Sequence, residues 1–287
     1  MEQHSGVVEM ITLIWHSNKE TGWEVDWIEY LFEDIPHRSI TDYGQTDEID
    51  RSFIIYNRTA SVADYAKRLH NKGINFGLIH VSDEWSEDST EHYEYANVVL
   101  RNYYKDLGPN VINFPLGWMR TFPRDLPLKT VYERAYTWSF SGHIDKTTRP
   151  QMAEAMSMVP NGKSYFKKCG ENWGPFEGHA LNPVQLAELY NNSIFVPCPQ
   201  GNCSIDSLRV CEALQAGSIP IVEKSDYWDN LYGVGNPLLQ MRNWKDVPET
   251  IAVLMEKYET LEQLRSSTYN WWIKHCDKLK YKISNLL

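Results

Sequence analysis

The segment from Ser193 to Glu223 constrains this chain more than any other. Ile194 to Val196 is an apolar run of the kind that forms a buried strand. A turn with Pro197, Pro199 and Gly201 follows. Asp206 and Ser207 are residue types that open helices, Gly217 is placed to close one, and Ile219 to Val222 begins a second strand. Strand, glycine turn, helix and strand make a βαβ unit. The backbone N–H groups at the start of its helix lack helical partners, so they favour an anion. Arg209 and Glu212 follow Asp206 by three and six residues, on neighbouring turns. A basic group near phosphates and a carboxylate deeper in suit a nucleoside diphosphate and its ribose.

The rest of the chain supports an α/β reading. In the first half, strand signals at Ile11–His16, Phe53–Tyr56, Phe76–Val81 and Val111–Leu116 alternate with helical patterns at Trp23–Phe32 and Val62–His70. Tyr93–Tyr104 forms a further regular element. The second half repeats the style, with a strand at Tyr136–Ser141 and helices opening near Thr147, Asn182 and Val247. The region from Leu261 to about Ile283 is helical to the end. Such alternation predicts parallel sheets covered by helices on both faces. The charged, proline-containing stretch Arg120–Lys129 is the best linker, giving domains over 1–125 and 126–287. The last helix is expected to pack back on the first domain.

Charge and cysteines narrow the partners. There are 28 basic and 38 acidic residues, a net of −10. That argues against a nucleic-acid partner, which needs a basic footprint, but not against a small anionic ligand in a local positive pocket. The five cysteines are an odd count without disulfide or zinc spacing, and fit reduced thiols in a cytosol. The first residues have no basic, apolar leader pattern, and Met10–Trp15 is too short to span a bilayer. A soluble cytoplasmic protein without membrane insertion is expected.

Three blocks carry a family resemblance. Cys198-Pro199-Gln200-Gly201, Asp206-Ser207-Leu208-Arg209-Val210-Cys211-Glu212-Ala213-Leu214 and Gly217-Ser218-Ile219-Pro220-Ile221-Val222 resemble, in identity and spacing, the C-terminal signature of exostosin-like glycosyltransferases. Gln200 stands where that family often has Arg, which removes one phosphate contact. Ser218 stands where Cys is common. The N-terminal half is similar more weakly, through Ile79-His80-Val81-Ser82-Asp83-Glu84, Arg101-Asn102-Tyr103-Tyr104 and Pro115-Leu116-Gly117-Trp118. The chain looks most like the compact, anchorless members found in chloroviruses. The resemblance implies a GT-B fold, with two Rossmann-like αβα domains facing a cleft. It implies inverting transfer of a sugar, xylose as first choice, from a UDP-sugar to a hydroxyl of a glycan acceptor.

Candidate residues follow from both lines. The donor site would comprise Ser141, Gly142, Arg149, Gly201, Asp206, Ser207, Arg209 and Glu212. Arg149 enters because an arginine follows the Phe-x-Gly strand end in the family. Asp83, then Glu84, are candidates for the base that takes the acceptor proton, since ligands of open α/β sheets lie beyond the carboxyl ends of strands. His16, Trp85, Arg101 and Trp118 are acceptor-site candidates, with Trp15 as a further stacking surface. The chain has no Asp-x-Asp. Glu24-Val25-Asp26 and Glu48-Ile49-Asp50 are its nearest runs, and both read as solvated acids. No metal or other cofactor is therefore expected. Gly-x-Ser-x-Gly, His-Glu-x-x-His and Walker patterns are absent. Two alternatives stay open: a non-catalytic glycan-binding module on the same fold, and a GT-B-type nucleotide-sugar epimerase.

Overall fold

The computed structural model describes residues 10–16, 19, 22–47, 49, 51–57, 59–168 and 181–286. Glu48, Asp50, Cys169 and the N-terminal leader region lie outside them. The chain divides into two compact units. The first is Met1–Phe114 with Cys276–Leu287, and the second is Pro115–His275. Residues 115–125, read from the sequence as the end of the first domain, fall in the second unit.

Unit 1 is built on a six-stranded, all-parallel sheet of β1 (Ile11–Trp15), β2 (His37–Thr41), β3 (Ser52–Tyr56), β4 (Phe76–His80), β5 (Val98–Arg101) and β6 (Val111–Asn113). The spatial order is β2-β1-β3-β4-β5-β6. Every residue of β1, β3 and β4 is buried, as expected for parallel strands covered on both faces. Helix α1 (Val25–Leu31) buries Val25, Trp27, Ile28 and Leu31 at helical spacing. Helix α2 (Thr59–Asn71) follows β3. Tyr93–Tyr104 is not one element. A short 3-10 helix, Glu91–Tyr95, precedes β5, and the chain leaves the sheet at Asn102.

Unit 2 holds a five-stranded parallel sheet of β7 (Tyr136–His143), β8 (Gly162–Lys167), β9 (Ser193–Cys198), β10 (Ile219–Glu223) and β11 (Leu239–Met241). Its order is β11-β10-β9-β7-β8. Helices α3 (Arg149–Ser157), α4 (Pro183–Asn191), α5 (Leu208–Gln215), α6 (Asp226–Tyr232) and α7 (Val247–Met255) connect or cover the strands. Helix α4 opens on a capping box between Asn182 and Gln185, and Pro183 lies in its first turn. Helix α5 closes on a Schellman motif: the Ser218 N–H reaches the Ala213 carbonyl (2.9 Å) and the Gly217 N–H reaches Leu214 (3.0 Å). Gly217 has φ +65°, which its lack of a Cβ allows.

The core of unit 2 gathers Trp138, Phe140, Met152, Met156, Phe195 and Ile221. At the foot of its sheet the buried Arg134 donates to the carbonyls of Lys129, Tyr190, Ser193, Ala216 and Gly217 and to Ser218 Oγ. Helix α8 (Tyr258–Ser284) begins in unit 2, and its last turns belong to unit 1. Within unit 1, Lys280 bonds Glu33 (2.5 Å) and Asp34 (2.9 Å) and lies 4.4 Å from the Tyr30 ring centroid. No helix among the described residues is long and apolar enough to cross a membrane.

Candidate functional site

In unit 2 the strand order reverses direction between β7 and β9, the topological switch point at which open parallel sheets bind ligands beyond the carboxyl ends. The residues expected at the donor site lie at or near these strand ends. Strand β7 ends on Ser141, Gly142 and His143. Strand β9 ends on Cys198 and leads into the Gly201 turn, closed by the Gly201 N–H donating to the Ser204 carbonyl (2.9 Å). Arg149, on the first turn of α3, is buried. Its Nε donates to the Gln200 carbonyl (3.2 Å) and its Nη1 to that of His143 (3.1 Å), tying the two strand ends together. Arg209, half-buried on the first turn of α5, donates to the Ser141 carbonyl (3.1 Å) and lies 4.7 Å from the Phe140 ring centroid.

Gly142 makes room for this arrangement. It has φ +144°, and a Cβ there would lie 3.0 Å from Arg209 Nη2. A side chain would therefore be strained and would push against the guanidinium.

The capping expectation needs correction. Ser207 has the backbone of an N-cap, but its side chain caps nothing and its Oγ is buried without a partner. Instead Asp206 turns inward, its carboxylate accepting from the Ser207 N–H (2.8 Å) and the Tyr227 hydroxyl (3.1 Å). Burial pushes its carboxyl up to about 7, against the pull of those two donors. Asp206 thus supports the turn. Glu212 is also buried. Its Oε1 accepts the Met119 N–H (3.3 Å), and burial lifts its carboxyl to about 7 although Arg209 and that N–H oppose the shift.

In unit 1 the structure places Asp83, the first candidate for the base, in a buried ion pair. Asp83 is buried. Its Oδ2 receives Arg101 Nη2 at 2.5 Å and its Oδ1 caps the following turn, accepting the N–H groups of Glu87 (3.1 Å) and Asp88 (3.4 Å). Both oxygens are spent on the fold. Arg101, expected at the acceptor site, has no exposed surface. It also donates to His80 Nδ1 (2.9 Å) and the Tyr93 hydroxyl (3.0 Å). His80 Nε2 then carries the proton and donates to Asp88 (2.9 Å). The Tyr56 hydroxyl joins His92 Nε2 at 2.6 Å.

Burial holds both histidines neutral, pushing each down to about 4. For His80 the Arg101 charge adds to burial, and for His92 the neighbouring His80 does. The ligand atoms of His80, Asp83 and Asp88 lie within 4.8 Å of one another, a spacing a metal ion could use. The Arg101 guanidinium already bonds two of the three and supplies the positive charge there.

The other acceptor candidates separate by exposure. Trp118 is fully buried and lies in unit 2, and Trp15 is 2% exposed, so neither offers a face to a sugar. His16 is buried, its Nδ1 3.2 Å from the Asp42 carbonyl and its ring stacked on Tyr65. Glu84 is half-buried. Trp85 is 64% exposed.

The sequence reading missed two residues. Trp23 is 57% exposed just before α1. Glu24, taken for a solvated acid, is buried and receives a hydrogen bond from Ser82 Oγ beyond β4. Ser82 has a left-handed backbone (φ +66°), and its N–H donates to Asn102 Oδ1 (3.0 Å). Burial raises the Glu24 carboxyl above its ordinary range, although Ser82 and Asn102 oppose the shift.

No protein-family model matches the chain, and no curated protein does. Solved structures share its fold. HepE of Anabaena in complex with UDP superposes with a TM-score of 0.58 at 12% identity, over 96% of this chain and 98% of that one. An E. coli trehalose-6-phosphate structure bound with UDP-2-fluoro glucose gives 0.55 at 9% identity, over 97% and 99%. An α1,3-fucosyltransferase gives 0.54 at 10%, over 96% and 92%. At these identities the likeness is one of fold: the chain has the α/β GT-B fold of two Rossmann-like units.

Proposed function

We propose that the chain is a glycosyltransferase that moves a sugar from a nucleotide sugar to a hydroxyl of a glycan acceptor. The observation that carries this reading is the meeting of Arg149, Arg209 and the uncapped start of α5 at the switch point of the unit 2 sheet. Two guanidinium groups and unpaired N–H donors suit a diphosphate and the charge that grows on it as it leaves. HepE has been solved with UDP and glucose, and the α1,3-fucosyltransferase with GDP, which supports a nucleotide sugar as the ligand class.

Within that class we favour a UDP-sugar, xylose first, because of the exostosin-like blocks around Arg209 and Glu212. We favour inversion: the acceptor oxygen attacks C1 as the C1–O bond to the diphosphate breaks, and the electron pair leaves with the phosphate. Unit 2 would hold the donor, with Glu212 near the ribose hydroxyls, and unit 1 would hold the acceptor. The arginine pair can balance the diphosphate charge, so the mechanism is written without a metal. Buried free thiols at Cys198 and Cys276 fit a reducing compartment such as the cytoplasm.

A thermal-shift screen of UDP-xylose, UDP-galactose, UDP-glucuronate, UDP-N-acetylglucosamine and GDP-fucose, with and without EDTA, tests this. A ligand at a hundred times its Kd stabilises by about 2.7 kcal/mol, or roughly 5–10 °C for units of this size. No shift with any of the five refutes the nucleotide-sugar reading. A shift abolished by EDTA refutes the metal-free part alone.

A further inference from the structure

The transfer reaction needs a group that removes a proton from the acceptor hydroxyl. The Asp83 carboxylate is already neutralised by the Arg101 guanidinium, whereas no ion pair among the described residues engages Glu24. We infer that Glu24 is that base, and that Trp23, next to it in the chain, and Trp85, three residues after its partner Ser82, are the faces on which the acceptor sugar stacks. The inference rests on the inverting-transferase reading above.

Three independent features meet at this carboxyl. The first is position. Glu24 lies in the loop that leaves β1, while its hydrogen-bond partner Ser82 follows β4 and Asn102 follows β5. All three stand beyond the carboxyl ends of parallel strands, the ligand-binding edge of such a sheet. The second is the holding of the side chain. Ser82 donates its hydroxyl to Glu24 Oε1 from a left-handed backbone that is uncommon for serine. The Asn102 side-chain oxygen in turn fixes the Ser82 N–H. A strained residue dedicated to orienting one carboxyl is what a positioned proton acceptor requires.

The third is the exposed aromatic surface carried by the same two loops. Trp23 adjoins Glu24 in the chain, and Trp85 follows Ser82 by three residues. Both keep more than half of their surface exposed in a unit that buries Trp15 and Trp27. Aromatic faces beside a polar centre suit the apolar face of a sugar ring, with a hydroxyl directed at the carboxylate. Burial supports the role. It makes Glu24 a stronger base than an exposed glutamate.

In the step itself, the acceptor O–H bond breaks and its proton passes to Glu24. The oxygen bonds to C1 of the donor sugar, the C1–O bond to the diphosphate breaks, and Glu24 later returns the proton to water.

The test uses the whole chain, the UDP-sugar giving the largest thermal shift, and p-nitrophenyl xyloside, galactoside, glucoside and fucoside as acceptors. UDP release to water is read where none accepts. Glu24→Gln keeps the shape and can still accept from Ser82. It should lower kcat by about 10²–10⁴-fold, leave the UDP-sugar shift unchanged and abolish the acid limb of the pH–rate profile. Trp85→Ala, at an exposed position that does not endanger folding, should raise the acceptor KM several-fold with little change in kcat.

If wild type transfers and Glu24→Gln stays within threefold of it, or keeps the acid limb, the base assignment is overturned while the transferase reading stands. An unchanged KM in Trp85→Ala overturns the stacking surface. If no UDP-sugar shifts or is cleaved by wild type, the transferase reading and this inference fall together.

Discussion

Acidification from pH 7 to 5 should weaken unit 1 and strengthen unit 2. His80 and His92 are buried, and their folded pKa values, about 4, lie below the ordinary 6.5. Between those values the native state holds fewer protons than the unfolded chain. The stability these histidines allow is complete above pH 6.5 and is lost as pH falls toward 4. Each costs roughly 2 kcal/mol at pH 5 relative to pH 7.

Asp206 and Glu212 act in the opposite sense. Their folded values are raised to about 7 from 3.8 and 4.5. The native state then holds more protons than the unfolded chain below pH 7, and each adds roughly 2 kcal/mol over the same interval. The two effects nearly cancel in a whole-molecule melt, so the units must be read separately.

Hydrogen exchange in peptides covering β4 and β9, corrected for intrinsic rates, does this. Protection in β4 should fall on acidification while that in β9 rises. Glu24, also raised, offsets part of the loss in unit 1, so the decisive quantity is a difference between variants. His92→Gln should shrink the fall in β4 protection by roughly 30-fold, the equivalent of one histidine's 2 kcal/mol. If His92→Gln has the same pH dependence as the parent, or β4 protection is flat from pH 7 to 5, the buried neutral histidines do not govern this unit.

Three further outcomes follow from single contacts. Arg209→Ala removes a charge-assisted donor and should weaken UDP binding by about 10–100-fold in calorimetry. Gly142→Ala places a Cβ 3.0 Å from Arg209 Nη2 at φ +144°. It should cost about 1–3 kcal/mol in strain and weaken UDP binding in the same titration. Arg134→Met strands several buried carbonyls at the foot of the unit 2 sheet and should cost at least about 3 kcal/mol. That would lower Tm by roughly 6–12 °C.

The signature segment was legible because its information is local. Strand, turn and helix start lie in consecutive residues, and Gly217 marks the helix end by a backbone rule. Strands β2 and β8 escaped notice because they are edge strands. His37-Arg38-Ser39-Ile40-Thr41 and Gly162–Lys167 lack the apolar runs of central strands. The surroundings of Asp83 were not legible for a different reason. Sequence places Asp83 at a strand end, but it cannot show that Arg101, from the neighbouring strand, already holds it. Glu24 was misread because an acid beside Asp26 in a helical pattern looks solvated. Its burial depends on Ser82, 58 positions away.

Helix α8 makes unit 1 discontinuous in the chain, since Cys276–Leu287 completes a body that begins at the other end. Unit 1 cannot be completed until the residues of α8 that follow unit 2 have been made. The N-terminal half must therefore wait for the C-terminus before Lys280 can reach Glu33 and Asp34. A premature stop late in the gene would damage the first unit made, not the last. Its six strands would all be present, but the last turns of α8 that complete the unit would be missing.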